Sequence, residues 1–217
     1  MDWELLMTSK QRYPGSDIRP SCSVSFSRQF SIMCDRESKL KAIESAIGSV
    51  PDFPIKGIVF RDFFGVFRDH VLTQYLLDEL YYIATSKVES KTKINVVIGL
   101  ESRGFLLGPA LALRLNCAFV PARKKGKLPG PCYSHSYELE YGTDTIEIQK
   151  DAVKPGDNVL LFDDVLATGG SLEACVKLVE KSGATILASL LFMELKDLNG
   201  RERLEKLGIL VHSIFQA

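Results

Sequence analysis

Two acids, Asp163 and Asp164, stand side by side between the apolar run "VLLF" (159–162) and the loop "ATGGS" (167–171). Each part of that stretch has its own chemistry. Ionised carboxylates only accept hydrogen bonds, so the pair suits vicinal hydroxyls, as on a ribose, or a magnesium ion with its waters. Glycines let backbone amides approach an anion closely. A helix expected from about 169 adds N–H groups without intrahelical partners and the positive end of the helix dipole. Thr168 and Ser171 add hydroxyls. The ligand that fits is a ribose 5-phosphate, with the sugar over Asp163 and Asp164 and the phosphate on Ala167, Thr168, Gly169, Gly170 and Ser171. Neither a G-x-x-x-x-G-K-[ST] run nor a G-x-G-x-x-G fingerprint is present, which removes two common nucleotide-binding loops.

Such a loop needs a scaffold, and the periodicity supplies one. "INVVIGL" (94–100), "CAFVPAR" (117–123), 158–162, "ATILASLLFME" (184–194) and "ILVHSIF" (209–215) read as strands, several of them apolar without alternation, as in a sheet covered on both faces. Between them lie helical patterns at about 69–86 (Leu72, Tyr75, Leu76, Glu79, Leu80, Ile83), 104–116, 169–182 and 200–208. Gly183 ends the third. Nearer the start, Asp35 is placed to cap a helix carrying Leu40, Ile43, Ile47 and Val50, stopped by Pro51 and Pro54, and 57–60 is a short extended run. Strands alternating with helices predict an α/β fold, a mostly parallel central sheet flanked by helices. Ligands then bind beyond the carboxyl ends of the strands, where Asp163 and Asp164 stand.

Residues 124–151 differ. Tyr133, His135, Tyr137, Leu139 and Tyr141 share one parity, and Ser134, Ser136, Glu138 and Glu140 the other; 145–149 follows. That is a two-stranded ribbon with one polar face. A long excursion between core strands suits a lid.

The 217 residues are 46% hydrophobic, enough for one good-sized core. Twenty-seven basic residues balance 27 acidic ones, so the overall charge draws the chain to neither nucleic acid nor membrane. No apolar run reaches transmembrane length. The five cysteines (Cys22, Cys34, Cys117, Cys132, Cys175) are scattered without a C-x-x-C pair, which fits free thiols in a reducing, intracellular compartment. Residues 8–32 are serine-rich, with Lys10, Arg12, Arg19 and Arg28 against one acid, Asp17. That is weakly similar to a transit peptide, but Asp2, Glu4, Pro14, Gly15 and Pro20 oppose an amphipathic helix, and we expect a flexible extension.

The run 159–171 resembles the phosphoribosyl pyrophosphate motif of the type I phosphoribosyltransferases. "DFPIKGIVFRD" (52–62), "GLESRGFLLGPALA" (99–112) and "RKKGKLPG…YELEYGTDTIEIQKDAVKPGD" (123–157) resemble, in that order, the adenine phosphoribosyltransferases. The resemblance starts near Met33, so 1–32 is extra to the pattern and 33–217 forms a single domain, with a small N-terminal hood and a two-stranded flexible lid at about 124–151. It implies transfer of the 5-phosphoribosyl group from 5-phosphoribosyl 1-diphosphate to adenine, giving AMP and diphosphate, with Mg2+ held mainly by substrate and waters and by Asp163 and Asp164 as candidate ligands. It further implies a cytoplasmic homodimer, with candidate surfaces near 61–68 and 104–123.

Residue by residue, the resemblance assigns diphosphate to Glu101, Ser102, Arg103, Arg123, Lys124 and Lys127, with a non-proline cis peptide at Glu101–Ser102. It assigns the base to the backbone of Val59 and Arg61 and to the ring of Phe60. Glu140 is the carboxylate expected to manage the proton on the base, with Tyr141 closing over the reacting groups and Arg103 on the leaving group. "FFGVFRDH" (63–70) is more aromatic than the family pattern. Two other readings are a phosphoribosyltransferase for another base and a regulator that binds phosphoribosyl pyrophosphate without catalysis.

Overall fold

A computed structural model describes residues 28–53, 56–57, 59–88, 92–138 and 142–217. The chain divides into two compact units, Met1–Ser38 and Lys39–Ala217. Of the first, the described part is the beginning of helix α1 (Arg28–Ser45). Asp35 lies inside this helix and does not cap it, and the helix runs across the 32/33 boundary drawn from the sequence. Ile47 and Val50 lie beyond its end: Gly48 opens a strand, and Val50 stands opposite Phe60 instead of completing a helical stripe. Cross-strand pairing has claimed residues whose spacing also fits a helix. The two strands, β1 (Gly48–Pro51) and β2 (Val59–Asp62), form a small antiparallel sheet at the position expected for the hood.

The main sheet has seven strands: β3 (Val96–Leu100), β4 (Ala118–Lys124), β5 (Cys132–Glu138), β6 (Thr143–Gln149), β7 (Asn158–Leu166), β8 (Thr185–Glu194) and β9 (Val211–Gln216). Their order is β5-β6-β4-β3-β7-β8-β9. The five from β4 to β9 run parallel, while β6 pairs antiparallel with β4 and with β5, so the ribbon extends one edge of the core sheet. The unbroken apolar runs now have their reason. In β7, Val159 and Leu161 enter one core cluster with α5 (Gly170–Ser182) and α6 (Gly200–Glu205), while Leu160 and Phe162 enter another with α3 (His70–Ile83) and α4 (Gly104–Leu115). Successive side chains of a strand point to opposite faces, and here both faces are buried.

Helix α3 starts where Asp69 accepts hydrogen bonds from Val71 N at 2.8 Å and Leu72 N at 3.4 Å, and continues past Ile83 as a π turn, Ala84–Val88. A four-residue helix, α2 (Phe64–Phe67), precedes it. Among the described residues no helix is long and apolar enough to cross a membrane.

Candidate active site

From β3 the chain crosses to β4 on one side, and β7 lies on the other. The carboxyl ends of β3 and β7 therefore flank the switch point of the sheet, where a crevice opens in parallel α/β folds. Asp163 and Asp164 follow Phe162, the last β7 residue paired with β3, while β7 itself continues beside β8 to Leu166 rather than ending before the acids. Gly104 opens α4 directly against them: a Cβ at this position would lie 2.9 Å from Phe162 O and 3.5 Å from Asp163 Oδ1. Beyond the acids, Gly169 caps α5 at φ 80 with no side-chain hydrogen bond to the first turn. The orphan N–H groups of that turn are open to an anion. They face a cleft of 90 Å³ lined by Asp163, Ala167, Thr168, Gly169, Gly170 and Ser171 among others. Behind this loop sits Gly200, where a Cβ would fall 2.2 Å from Ala167 O.

Burial pushes the Asp163 carboxyl well above the ordinary range, and Asp164 beside it adds to the rise. Asp164 is raised by burial too, opposed chiefly by the Arg103 guanidinium. Arg103 Nε lies 3.0 Å from Asp164 Oδ2, yet without hydrogen-bond alignment, so that buried oxygen has no hydrogen-bond partner among the described residues. An acceptor so placed fits a ribose hydroxyl or a water on a cation. Among the described residues no cluster of three or more His, Cys, Asp or Glu could cage a metal ion. Two adjacent carboxylates of this kind can accept from substrate hydroxyls or from waters on a divalent cation.

On the β3 side the Glu101–Ser102 peptide is cis, as the resemblance implied. Glu101 N donates to Ala122 O at 2.9 Å. Its carboxylate accepts from Arg123 Nε at 3.0 Å, Arg123 Nη2 at 3.2 Å and Lys124 N at 3.1 Å. Burial works against ionisation of Glu101, but the Arg123 fork and the Lys124 amide outweigh it and hold the carboxyl low. Glu101 thus aims Arg123. The basic turn is pinned further: Arg123 Nη1 donates to Lys127 O at 3.0 Å, Gly126 N donates to Glu147 Oε2 at 3.0 Å, and Lys124 Nζ pairs with Asp144 Oδ2 at 3.1 Å. Lys127 joins this set through its carbonyl.

The ribbon keeps its predicted parity, with Tyr133 and Tyr137 half-buried toward the core and Ser134 and Ser136 exposed. Ser171 Oγ donates to Tyr137 Oη at 3.1 Å, tying ribbon to anion loop. In the hood, Val59 is exposed, Phe60 meets Phe53 edge-on, and Arg61 Nη1 donates to Ser49 Oγ at 2.8 Å. The Arg61 side chain is therefore engaged across the hood strands. Glu140 and Tyr141 lie outside the described residues, as do residues 1–27 of the N-terminal extension.

Residues 72–209 match the model of the phosphoribosyl transferase domain. The chain is 44% identical over 178 residues to the adenine phosphoribosyltransferase of Pectobacterium atrosepticum, covering 82% of this chain and 94% of that one. It is 48% identical over 181 residues to that of Drosophila pseudoobscura pseudoobscura, covering 83% and 96%. The chain belongs to the adenine phosphoribosyltransferase family. The Saccharomyces cerevisiae family member, solved with an imino-altritol bisphosphate and adenine, superposes with a TM-score of 0.77 at 44% identity, covering 82% of this chain and 99% of that one.

Several site contacts were not legible as motifs of this phosphoribosyltransferase. Asp144 and Glu147, read only as ribbon residues, brace the basic turn. Gly200 seats the anion loop. Tyr137 was visible only through its parity. Phe63 was marked only by its aromatic departure from the family pattern.

Proposed function

We infer that the chain transfers the 5-phosphoribosyl group from 5-phosphoribosyl 1-diphosphate to adenine, giving AMP and diphosphate. The observation that carries the reading is the pair Asp163 and Asp164 set between the uncapped start of α5 and the Arg103 guanidinium. The first turn of α5, with Thr168 and Ser171, holds the 5-phosphate. Asp163 and Asp164 accept from the ribose hydroxyls. Arg103, Arg123 and Lys124, with the backbone amides of the 102–104 turn and with Lys127 at its rim, take the diphosphate, while Glu101 acts by aiming Arg123. Adenine lies in the hood, against Phe60, with the Val59 and Arg61 backbone at its edge.

The reaction forms a bond from adenine N9 to ribose C1, breaks the bond from C1 to the diphosphate oxygen, and releases the N9 proton. The guanidinium and ammonium groups stabilise charge that develops on the leaving oxygens. Glu140 steadies the proton on the base in this direction and helps adenine leave in the other. Mg2+, when bound with the donor, neutralises charge on the diphosphate. The 124–151 lid with Tyr141 excludes water, which would otherwise compete as the nucleophile.

These parts fall within 33–217, and 1–32 is an extension to them. We place the protein in a reducing cytoplasm, where the free thiols of Cys132 and Cys175 persist. We also propose a homodimer built on the 61–68 and 104–123 surfaces, where Phe64, Leu106 and Leu113 are exposed.

The deciding assay offers adenine, hypoxanthine, guanine and orotate separately, with magnesium and 5-phosphoribosyl 1-diphosphate. AMP from adenine alone is expected. Turnover of hypoxanthine but not adenine refutes the base assignment, and donor binding without any product supports a regulator instead.

A further inference from the structure

The aromatic residues after the hood strand take no part in the reaction above, yet one of them touches its machinery. Phe63 is buried, and its ring centroid lies 5.5 Å from Arg103 Cζ. Phe60 lies 5.9 Å from the same carbon. Both distances are within the reach of a cation–π contact. The Nε of that guanidinium is 3.0 Å from the buried Asp164 Oδ2. Arg103 is thus held by two rings and a carboxylate. Two of these three partners have other duties: the Phe60 face is reserved for adenine and Asp164 for a ribose hydroxyl.

We propose that Phe63 is a positioning residue that holds Arg103 across the Phe60 face and Asp164 Oδ2, and that the diphosphate group draws Arg103 off to free both. This rests on the roles given above to Phe60 and Arg103. A diphosphate offers the guanidinium more charge and a two-point acceptor. Once Arg103 leaves, Asp164 Oδ2 is free to accept from the ribose, and the Phe60 face is bare. Adenine and diphosphate then help each other bind, because each favours the arrangement in which Arg103 is released. Phe63 sets the strength of that coupling by how firmly it holds the parked state. Its burial against Phe192 and Phe67 keeps the ring in place while Arg103 moves.

The test is calorimetric titration of adenine into the full chain, with and without inorganic diphosphate and magnesium. In the unaltered protein, diphosphate is expected to tighten adenine by about tenfold, within the usual range for coupled sites. Phe63→Leu keeps the apolar bulk but removes the ring face, so it should strengthen adenine binding to the substrate-free protein and bring the ratio toward one. Arg103→Lys keeps the charge without the planar face and should do the same. Phe63→Tyr should preserve the original ratio. The proposal is overturned if diphosphate has no effect on adenine in the unaltered protein, or if Phe63→Leu leaves adenine affinity unchanged. Should Phe63→Leu fail to fold by circular dichroism, unchanged affinity in Arg103→Lys overturns it equally. Failure of the functional reading is separate and shows as no AMP formed by the unaltered protein.

Discussion

Gly200→Ala tests how the anion loop is seated. A Cβ at Gly200 would lie 2.2 Å from Ala167 O, 2.7 Å from Leu166 Cδ1 and 2.9 Å from Leu166 Cγ. Ordinary contact begins at 3.4 Å, so one side must give by about 1.2 Å. Helix α6 is poorly able to retreat. Its second residue, Arg201, donates to the buried Glu194 at 2.8 Å and 2.5 Å and to Val211 O at 2.8 Å. The loop should therefore move, carrying Thr168 and Gly169 with it. Overpacking of this kind costs about 1–3 kcal/mol. In a chain of this size that lowers Tm by about 2–12 °C. A displacement near 1 Å at a substrate-positioning loop should cut kcat/KM for the phosphoribosyl donor by roughly 100-fold. Thermal melts and initial rates of AMP formation measure both. Gly208→Ala is the control: at φ +76 with nothing within 4 Å, it should lose stability by backbone strain alone and keep its kcat/KM. If Gly200→Ala melts within about 1 °C of the unaltered protein and keeps its kcat/KM, the seating of the loop by α6 is wrong.

Three other outcomes are expected. Burial and Asp164 hold the Asp163 pKa above its ordinary 3.8, so the ionised form costs stability that grows as pH rises from that value through the folded one. Asp163→Asn should therefore raise Tm increasingly as pH rises above the ordinary carboxylate value of 3.8, while weakening donor binding and its magnesium dependence; a Tm difference independent of pH would contradict this. Tyr137→Phe removes the acceptor of Ser171 Oγ and should lower kcat/KM for the donor by about 2- to 13-fold, the worth of one hydrogen bond; equal donor kinetics would show that the ribbon is not latched there. Glu140→Ala should slow the single turnover by about 100-fold or more with donor binding retained, and an unchanged single-turnover rate would remove it from the proton step.

What could be read in the sequence was local. Asp163, Asp164 and 167–171 are contiguous, and a strand end, a glycine turn and a helix start follow from nearby residues alone. The buried strands and the helices from 69 onward were visible for the same reason, as unbroken apolar runs or as a period of 3.6. The first helix was misread because Ile47 and Val50 keep helical spacing while Gly48 and a strand partner, Phe60, take them elsewhere. The base assignment came from resemblance in 52–62 and 139–142, since no residue type by itself names a purine. Tertiary structure decided the rest. Arg123 meets Glu101 across 22 positions and Tyr137 meets Ser171 across 34. Arg103 reaches Asp164 because the sheet places β3 beside β7, and Gly200 reaches Ala167 because α6 packs behind the loop. Residue type sets which groups can accept, donate or carry charge, whereas strand order sets which of them meet.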